Sequence, residues 1–319
     1  MSACIKRILR AAVVPCALMV ALGQPEALGA TLDPGSGGGV YFGAYVNLTN
    51  KWTQTDRMAE ITRYESDLGR KLAINHRYYG WTSELADWET RWDVANGRIP
   101  LLSWSHYSAT AVTSGSQDAV IRTAADHLRA LGKPVMLEWF WEMDLNRYAN
   151  QTGSPATFIA AWRHIHDIFV HEGAANVAFV WCPTANGFAT GAAQRYYPGN
   201  SYVNWICADG YNWGGVRSTR PWRSFSEIFS SFYHWGTTAT SKPLMVGEVG
   251  TGEGTVGQKA TWFDNAASSL PTIFPRIAAV VYFDSYDSAN NWDWKSTSST
   301  SARTAYISWA RTRYDRLGS

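Results

Sequence analysis

Two glutamates, Glu138 and Glu142, interrupt an apolar run in the stretch KPVMLEWFWEMD, residues 133–144. An ionised carboxylate costs several kcal/mol to desolvate, so an apolar segment keeps one only where it is paired or used. A third, Glu248, sits in the equally apolar LMVGEVG, residues 244–250. Two carboxyl groups converging on one bond are what glycosidic cleavage requires: one protonates the leaving oxygen while the other attacks the anomeric carbon or activates water. Glu142 and Glu248 form the pair expected to do this. Glu138 lies four residues before Glu142, ~13 Å lower on an extended strand at ~3.3 Å per residue. It reads as an interior carboxylate, with Arg77 as its expected partner.

Other chemistries find less support. No G-x-S-x-G occurs, so a nucleophile-elbow hydrolase lacks its signature. His164 and His166 are two apart on a predicted helix and do not share a face, which makes them a poor metal pair. Gly252-Glu-Gly254-Thr-Val-Gly257 fits the dinucleotide fingerprint, yet Glu253 puts a negative charge where phosphate would bind, and too little chain follows to complete such a sheet. No cofactor and no metal are expected.

The carboxylates need a frame that brings distant segments together. Eight short apolar runs recur along the chain, at 39–46, 71–79, 99–104, 134–142, 177–182, 205–211, 244–250 and 278–284. Between them lie helical patterns. Residues 118–131 carry an apolar stripe at Val120, Ile121, Ala124, Leu128 and Leu131 with Gly132 as a stop, and residues 155–170 begin with Ser154 as cap and Pro155 in the first turn. Apolar strands alternating with helices imply a parallel sheet covered on both faces. Eight of them predict an α/β fold, a (β/α)8 TIM barrel in a single catalytic domain spanning 39–319. In such a barrel the chemistry sits at the C-terminal strand ends, where Glu142, Tyr211, Asn212 and Glu248 are expected.

Residues 1–30 read as a secretion signal: Lys6, Arg7 and Arg10 precede an apolar run too short to span a bilayer, and the small residues ALGA follow. A Gly/Ser-rich lead-in occupies 31–38. Without Lys6, Arg7, Arg10 and Glu26, the 28 basic and 26 acidic residues become 25 of each. That balance argues against nucleic acid or an anionic membrane as partner. A secreted, monomeric protein is expected. Cys182 and Cys207 are left either to pair or to remain as buried thiols. The chain holds 17 tryptophans, and flat aromatic faces suit the C–H faces of sugars. Trp104, Trp141, Trp181, Trp213 and Trp292, with Tyr282, Asn212 and Asp144, are the candidate substrate contacts, although many tryptophans are also expected to fill the core.

KPVMLEWFWEMD, FIAAWRHIHDIF, NVAFVWCP, DGYNWGG and KPLMVGEVG together resemble glycoside hydrolase family 26 of the clan A barrels, over most of residues 39–315. The resemblance implies a retaining endo-glycanase cleaving β-linked polysaccharide, with β-1,4-mannan first and mixed-linkage β-glucan or xylan as alternatives. It makes Glu142 the acid/base, Glu248 the nucleophile and Tyr211 the residue that orients the nucleophile. Three positions depart from the family pattern: Glu138 replaces an arginine, Trp141 a histidine and Asp144 an asparagine. They surround the sugar subsite that straddles the bond, and they motivate a rival reading as a carbohydrate-binding protein without catalysis.

Overall fold

The computed structural model describes residue 32, residues 39–47 and residues 53–312. The expected secretion signal lies outside the described residues, as does the lead-in apart from Leu32. Eight parallel strands close into a barrel in chain order. They are β1 (Tyr41–Val46), β2 (Ile74–Tyr79), β3 (Ile99–Trp104), β4 (Val135–Trp139), β5 (Val177–Trp181), β6 (Trp205–Asn212), β7 (Leu244–Thr251) and β8 (Ile277–Asp284). The predicted (β/α)8 fold is the observed one.

The covering helices are α1 (Gln54–Leu68), α2 (Trp88–Ala95), α3 (Ala109–Thr113), α4 (Asp118–Arg129), α5 (Ala149–Thr152), α6 (Pro155–His171), α7 (Ala185–Thr190), α8 (Phe225–Ala239), α9 (Gln258–Thr272) and α10 (Thr300–Arg311). Ser154 caps α6 by accepting from the Thr157 N–H at 3.1 Å, with Pro155 in the first turn, as its sequence predicts. The helix after β5 is hard to see in the sequence because α7 is only six residues long. No helix among the described residues is long and apolar enough to cross a membrane.

Residues alternate between the two faces of each strand. One set meets the helices: Phe42, Leu102, Leu137, Phe179, Ile206, Val246 and Val280 are buried there. The other set faces the barrel axis. At its N-terminal end Ile74, Leu101, Met136, Val180, Trp205 and Met245 pack together with Leu32. Toward the C-terminal end this apolar filling gives way to His76, Ser103, Glu138 and Asp209, all buried. The barrel is therefore solid below and polar just under its mouth. Cys182 and Cys207 are joined by a disulfide linking the end of β5 to β6 inside this polar layer.

Candidate active site

The run predicted as a strand to residue 142 stops at Trp139. Phe140 and Glu142 then adopt left-handed backbone, with φ of 56° and 53°. This conformation costs a non-glycine residue ~1 kcal/mol or more, so its surroundings must enforce it. They do so from both sides: Phe140 N–H donates to Trp104 O at 3.1 Å and Glu142 N–H to Cys182 O at 2.8 Å. His106 Nε2 binds Trp141 O at 2.9 Å, and the His106 ring stacks on Tyr148. The carbonyl can only accept, so Nε2 carries the proton. Burial pushes the His106 pKa down to about 4, which keeps the ring neutral. The turn thus projects Glu142 from the end of β4 between β3 and β5.

Glu248 arrives by a different device. Ala208 pairs with Val246, but Asp209 pairs with Glu248, so Gly247 is an extra residue in β7. This β-bulge shifts the alternation and places Glu248 on the same inward face as Asp209. Glycine is required at the bulge: a Cβ there would lie 2.8 Å from Cys182 Sγ and closer still to Cys207 Sγ. Glu248 is buried and accepts hydrogen bonds from both Tyr78 and Tyr211. Burial, then the nearby Glu248 charge, holds both phenols well above their ordinary range, so they act as donors.

Burial raises all four carboxyl groups of the site, and their hydrogen-bond donors set them apart. Desolvation, then Glu248, raises Glu142 to about 8, opposed by Arg147, whose Nη2 lies 2.5 Å from Glu142 Oε2. Glu138 and Asp209 are pushed well above the carboxylate range by burial. Glu248 is also raised by burial, but the O–H donors of Tyr211 and Tyr78 pull it back. Among these four groups, Glu248 is the one equipped to carry negative charge. Asp209 Oδ1 lies 3.1 Å from Cys182 Sγ. A disulfide sulfur has no proton to give, so a hydrogen bond there needs the proton on the aspartate, consistent with a neutral Asp209.

Glu138 does not meet Arg77, as the sequence led us to expect. It accepts from Ser103 Oγ, with His76 Nε2 at 3.9 Å. His76 is held neutral, its pKa lowered by burial to about 3. Inward His76 makes the next residue, Arg77, face outward, where it pairs with Glu89 of α2. A cleft of about 570 Å³ opens beside Glu142 and Tyr211, lined further by Arg147, Asn186, Asp209, Trp213, Arg217, Arg220 and Trp292.

No family model matches the chain. Endoglucanase H of Acetivibrio thermocellus is 31% identical over 284 residues, 84% of this chain and 30% of that protein, so the chain spans less than a third of the curated relative it matches. The catalytic domain of a family 26 endo-β-1,4-mannanase from Bacillus sp. superposes with a TM-score of 0.64 at 16% identity, covering 88% of this chain and 87% of that one. A β-mannanase from a symbiotic protist of the termite Reticulitermes speratus, solved with a gluco-manno-oligosaccharide, gives 0.55 at 16% identity over 88% of each. The chain has the glycoside hydrolase family 26 fold.

On that fold the candidate contacts divide sharply. Trp213 and Trp292 line the cleft, whereas Trp141, beside Glu142 in the chain, packs against Tyr78 and His106 and is not part of that lining. Trp104, Trp181, Asn212 and Tyr282 are fully buried and do not reach it. Each follows an inward residue (Ser103), precedes one (Cys182) or does the equivalent on its strand (Tyr211, Val281), so it points outward into the helix layer. Trp104 stacks on Trp81, Trp181 packs on Tyr197, and Tyr282 donates to Trp294 O at 2.7 Å. Asn212 binds Thr251 and the Arg223 N–H, holding the loop after β6. Asp144 accepts from the N–H and hydroxyl of Thr184, tying the Glu142 turn to the loop after β5. Tyr78, His106, Arg147 and Asp209 were missed in the sequence. Two of them left a trace: Tyr78 lies two residues after His76 and therefore on the same face, and Asp209 is a carboxylate in the apolar run 205–211, two residues before Tyr211. The dinucleotide-like loop is filled by its own acid: Glu253 Oε1 accepts from the Gly257 N–H at 2.8 Å.

Proposed function

We propose that the protein is a secreted, monomeric, retaining endo-glycoside hydrolase acting on a β-linked polysaccharide by double displacement. The observation that carries this is the unequal surroundings of the two carboxyl groups: Glu142 is pushed by burial and by Glu248 up to about 8, while Glu248 accepts from two phenolic donors that favour its charged form. Glu248 attacks the anomeric carbon and forms a glycosyl ester while Glu142 gives its proton to the departing sugar oxygen. Glu142, now ionised, takes a proton from water as that water attacks the same carbon and releases Glu248. Tyr78 and Tyr211 hold the nucleophile in place without competing for the proton. Retention calls for carboxyl groups ~5–5.5 Å apart, and a crystal structure with them ~9 Å apart would overturn this mechanism.

The fold shared with β-mannanases supports β-1,4-mannan as backbone. Identity with a relative named an endoglucanase supports a second reading, β-glucan. Product release from mannan, mixed-linkage β-glucan, β-1,4-xylan and β-1,3-xylan decides between them, with Glu142→Ala and Glu248→Ala alongside. Activity on one polymer that vanishes in both variants fixes reaction and backbone together. Binding without cleavage by the native protein overturns the enzymatic reading.

A further inference from the structure

The cleft has a charge pattern that general acid/base chemistry does not use. Arg147 donates to Glu142 Oε2, and Arg223 donates to Glu227 O. Arg217 and Arg220 also line the cleft, yet among the described residues neither forms an ion pair or a side-chain hydrogen bond. The remaining acid of the lining, Asp209, is buried in the barrel, and that burial pushes its pKa well above the carboxylate range. Whole-chain charge is nearly balanced, with 28 basic and 26 acidic residues, so the local excess belongs to this loop.

Arg217 is also shaped for a ligand. Its guanidinium lies 4.3 Å from the Trp213 ring centre and 4.0 Å from that of Trp292, a cation held against two indoles that meet edge to face. These two cation–π contacts hold the group in place without using its N–H donors, which stay available to bind an oxyanion. Its Nε is buried and has no partner, and a buried donor left unmatched is costly. The loop also borders the reacting bond: Trp213 packs on Tyr211 with ring centres 5.5 Å apart, and Tyr211 holds Glu248.

Resting on the glycosidase reading above, we propose that the substrate carries an anionic group on a sugar beside the bond that is cut, a uronate carboxylate or an ester sulfate, bound by Arg217 and Arg220. The test compares kcat/KM on matched polymers: mannan and β-glucan against their C6-oxidised uronate forms, xylan against glucuronic-acid-substituted xylan, and ester-sulfated forms of each. The anionic form of whichever backbone is cleaved is preferred by about tenfold or more, the scale of one charge-assisted hydrogen bond, and the preference shrinks as salt is raised. Carboxylate or sulfate is identified by which form shows it. Arg217→Gln with Arg220→Gln brings the ratio toward one. Arg220→Gln alone, at an exposed position where folding is not at risk, lowers it part of the way.

Equal cleavage of neutral and anionic forms overturns the inference and leaves the glycosidase reading standing, as does a preference that survives the double variant. Calorimetric binding of uronate-bearing and neutral oligosaccharides to the native protein separates the remaining cases. Tighter, salt-sensitive binding of the acidic sugar without cleavage of any polymer supports the site and overturns the glycosidase reading; no binding and no cleavage overturns both.

Discussion

Beside α2 the barrel wall holds Arg57, Arg77 and Arg98 against Glu65, Glu89 and Asp93, and at the barrel mouth Arg147, Arg217 and Arg220 stand near Glu142 and Glu248. In the first cluster every acid has a cation within reach: Arg57 meets Glu89 at 2.9 Å, and Arg98 grips both oxygens of Glu65 at 2.7 and 2.8 Å and reaches Asp93 at 3.3 Å, although burial pushes Asp93 up to about 7. At the mouth the matching is incomplete, with buried Glu248 held by neutral phenols and two arginines left without acids. The difference teaches how one fold keeps structural and chemical charge apart. Matched charge fixes the wall, where Asp93 alone is raised toward neutral pH, while unmatched charge at the mouth is free to change its proton or take a ligand.

The sharpest break between the clusters comes from deleting an acid in each. Glu248→Ala is expected to lower kcat by ~10⁴ or more while the protein stays folded, since the nucleophile acts as part of one unit. Glu142→Ala is expected to lower kcat by ~10²–10⁴, the range of general acid/base catalysis. Azide tells the two apart on an aryl β-glycoside whose phenolate leaves without an acid: it restores turnover to both, giving a glycosyl azide of inverted configuration with the nucleophile variant and of retained configuration with the acid/base variant. The opposite stereochemistry would reverse the assignment. Glu89→Ala is expected to act on the fold instead, costing ~3–5 kcal/mol because it strands Arg57 in the core. Urea unfolding reads that loss, and kcat per folded molecule stays as in the native protein.

A smaller change sharpens the role of the phenols. Tyr211→Phe and Tyr78→Phe each remove one donor from an ionised carboxylate, an interaction of ~1.5–3 kcal/mol. Each is expected to lower kcat ~10- to 10²-fold. Both donors favour the charged form, so losing one raises the Glu248 pKa. Because catalysis needs Glu248 ionised, the acidic limb of the rate profile moves to higher pH. A drop in kcat with an unmoved acidic limb would show that the tyrosines pack against Glu248 without tuning it.

Much of this was legible in the sequence, and the failures share a cause. Eight apolar runs and the punctuation of α4 and α6 were enough for the barrel, because hydrophobic period and caps are local signals. Glu142, Glu248 and Tyr211 stood out as polar residues in apolar company. What could not be read was which way a strand residue faces, since a shift of one position exchanges the faces. That single ambiguity placed Trp104, Trp181, Asn212 and Tyr282 at the cleft and paired Glu138 with Arg77. The bulge at Gly247 and the left-handed turn at Phe140 and Glu142 were hidden for a related reason: each depends on hydrogen bonds and contacts from neighbouring strands, and those are fixed only once the barrel closes.

The Arg147–Glu142 pair belongs to neither pattern, and it yields the smallest expected effect. Arg147 favours ionised Glu142, so Arg147→Gln raises the Glu142 pKa, and the alkaline limb of kcat/KM, expected near pH 8 in the native protein, moves upward. Arg147 also lowers Glu248, so the acidic limb moves the same way and the whole bell shifts. The Arg147 side chain is 61% exposed; an exposed pair contributes ~0.2–1 kcal/mol, which at ~1.4 kcal/mol per unit is a shift of ~0.1–0.7 pH unit. Salt should shrink it. Stability carries the complementary signature. Glu142 binds its proton more tightly folded than unfolded, so its contribution is complete below the ordinary glutamate range and is lost as pH rises toward 8. Glu142→Gln removes that loss, and its unfolding midpoint should therefore fall less than the native one between pH 5 and 8. Parallel melting curves for the two proteins across that window would mean that Glu142 is already ionised in the folded state, and the assignment of the acid would have to move elsewhere in the cleft.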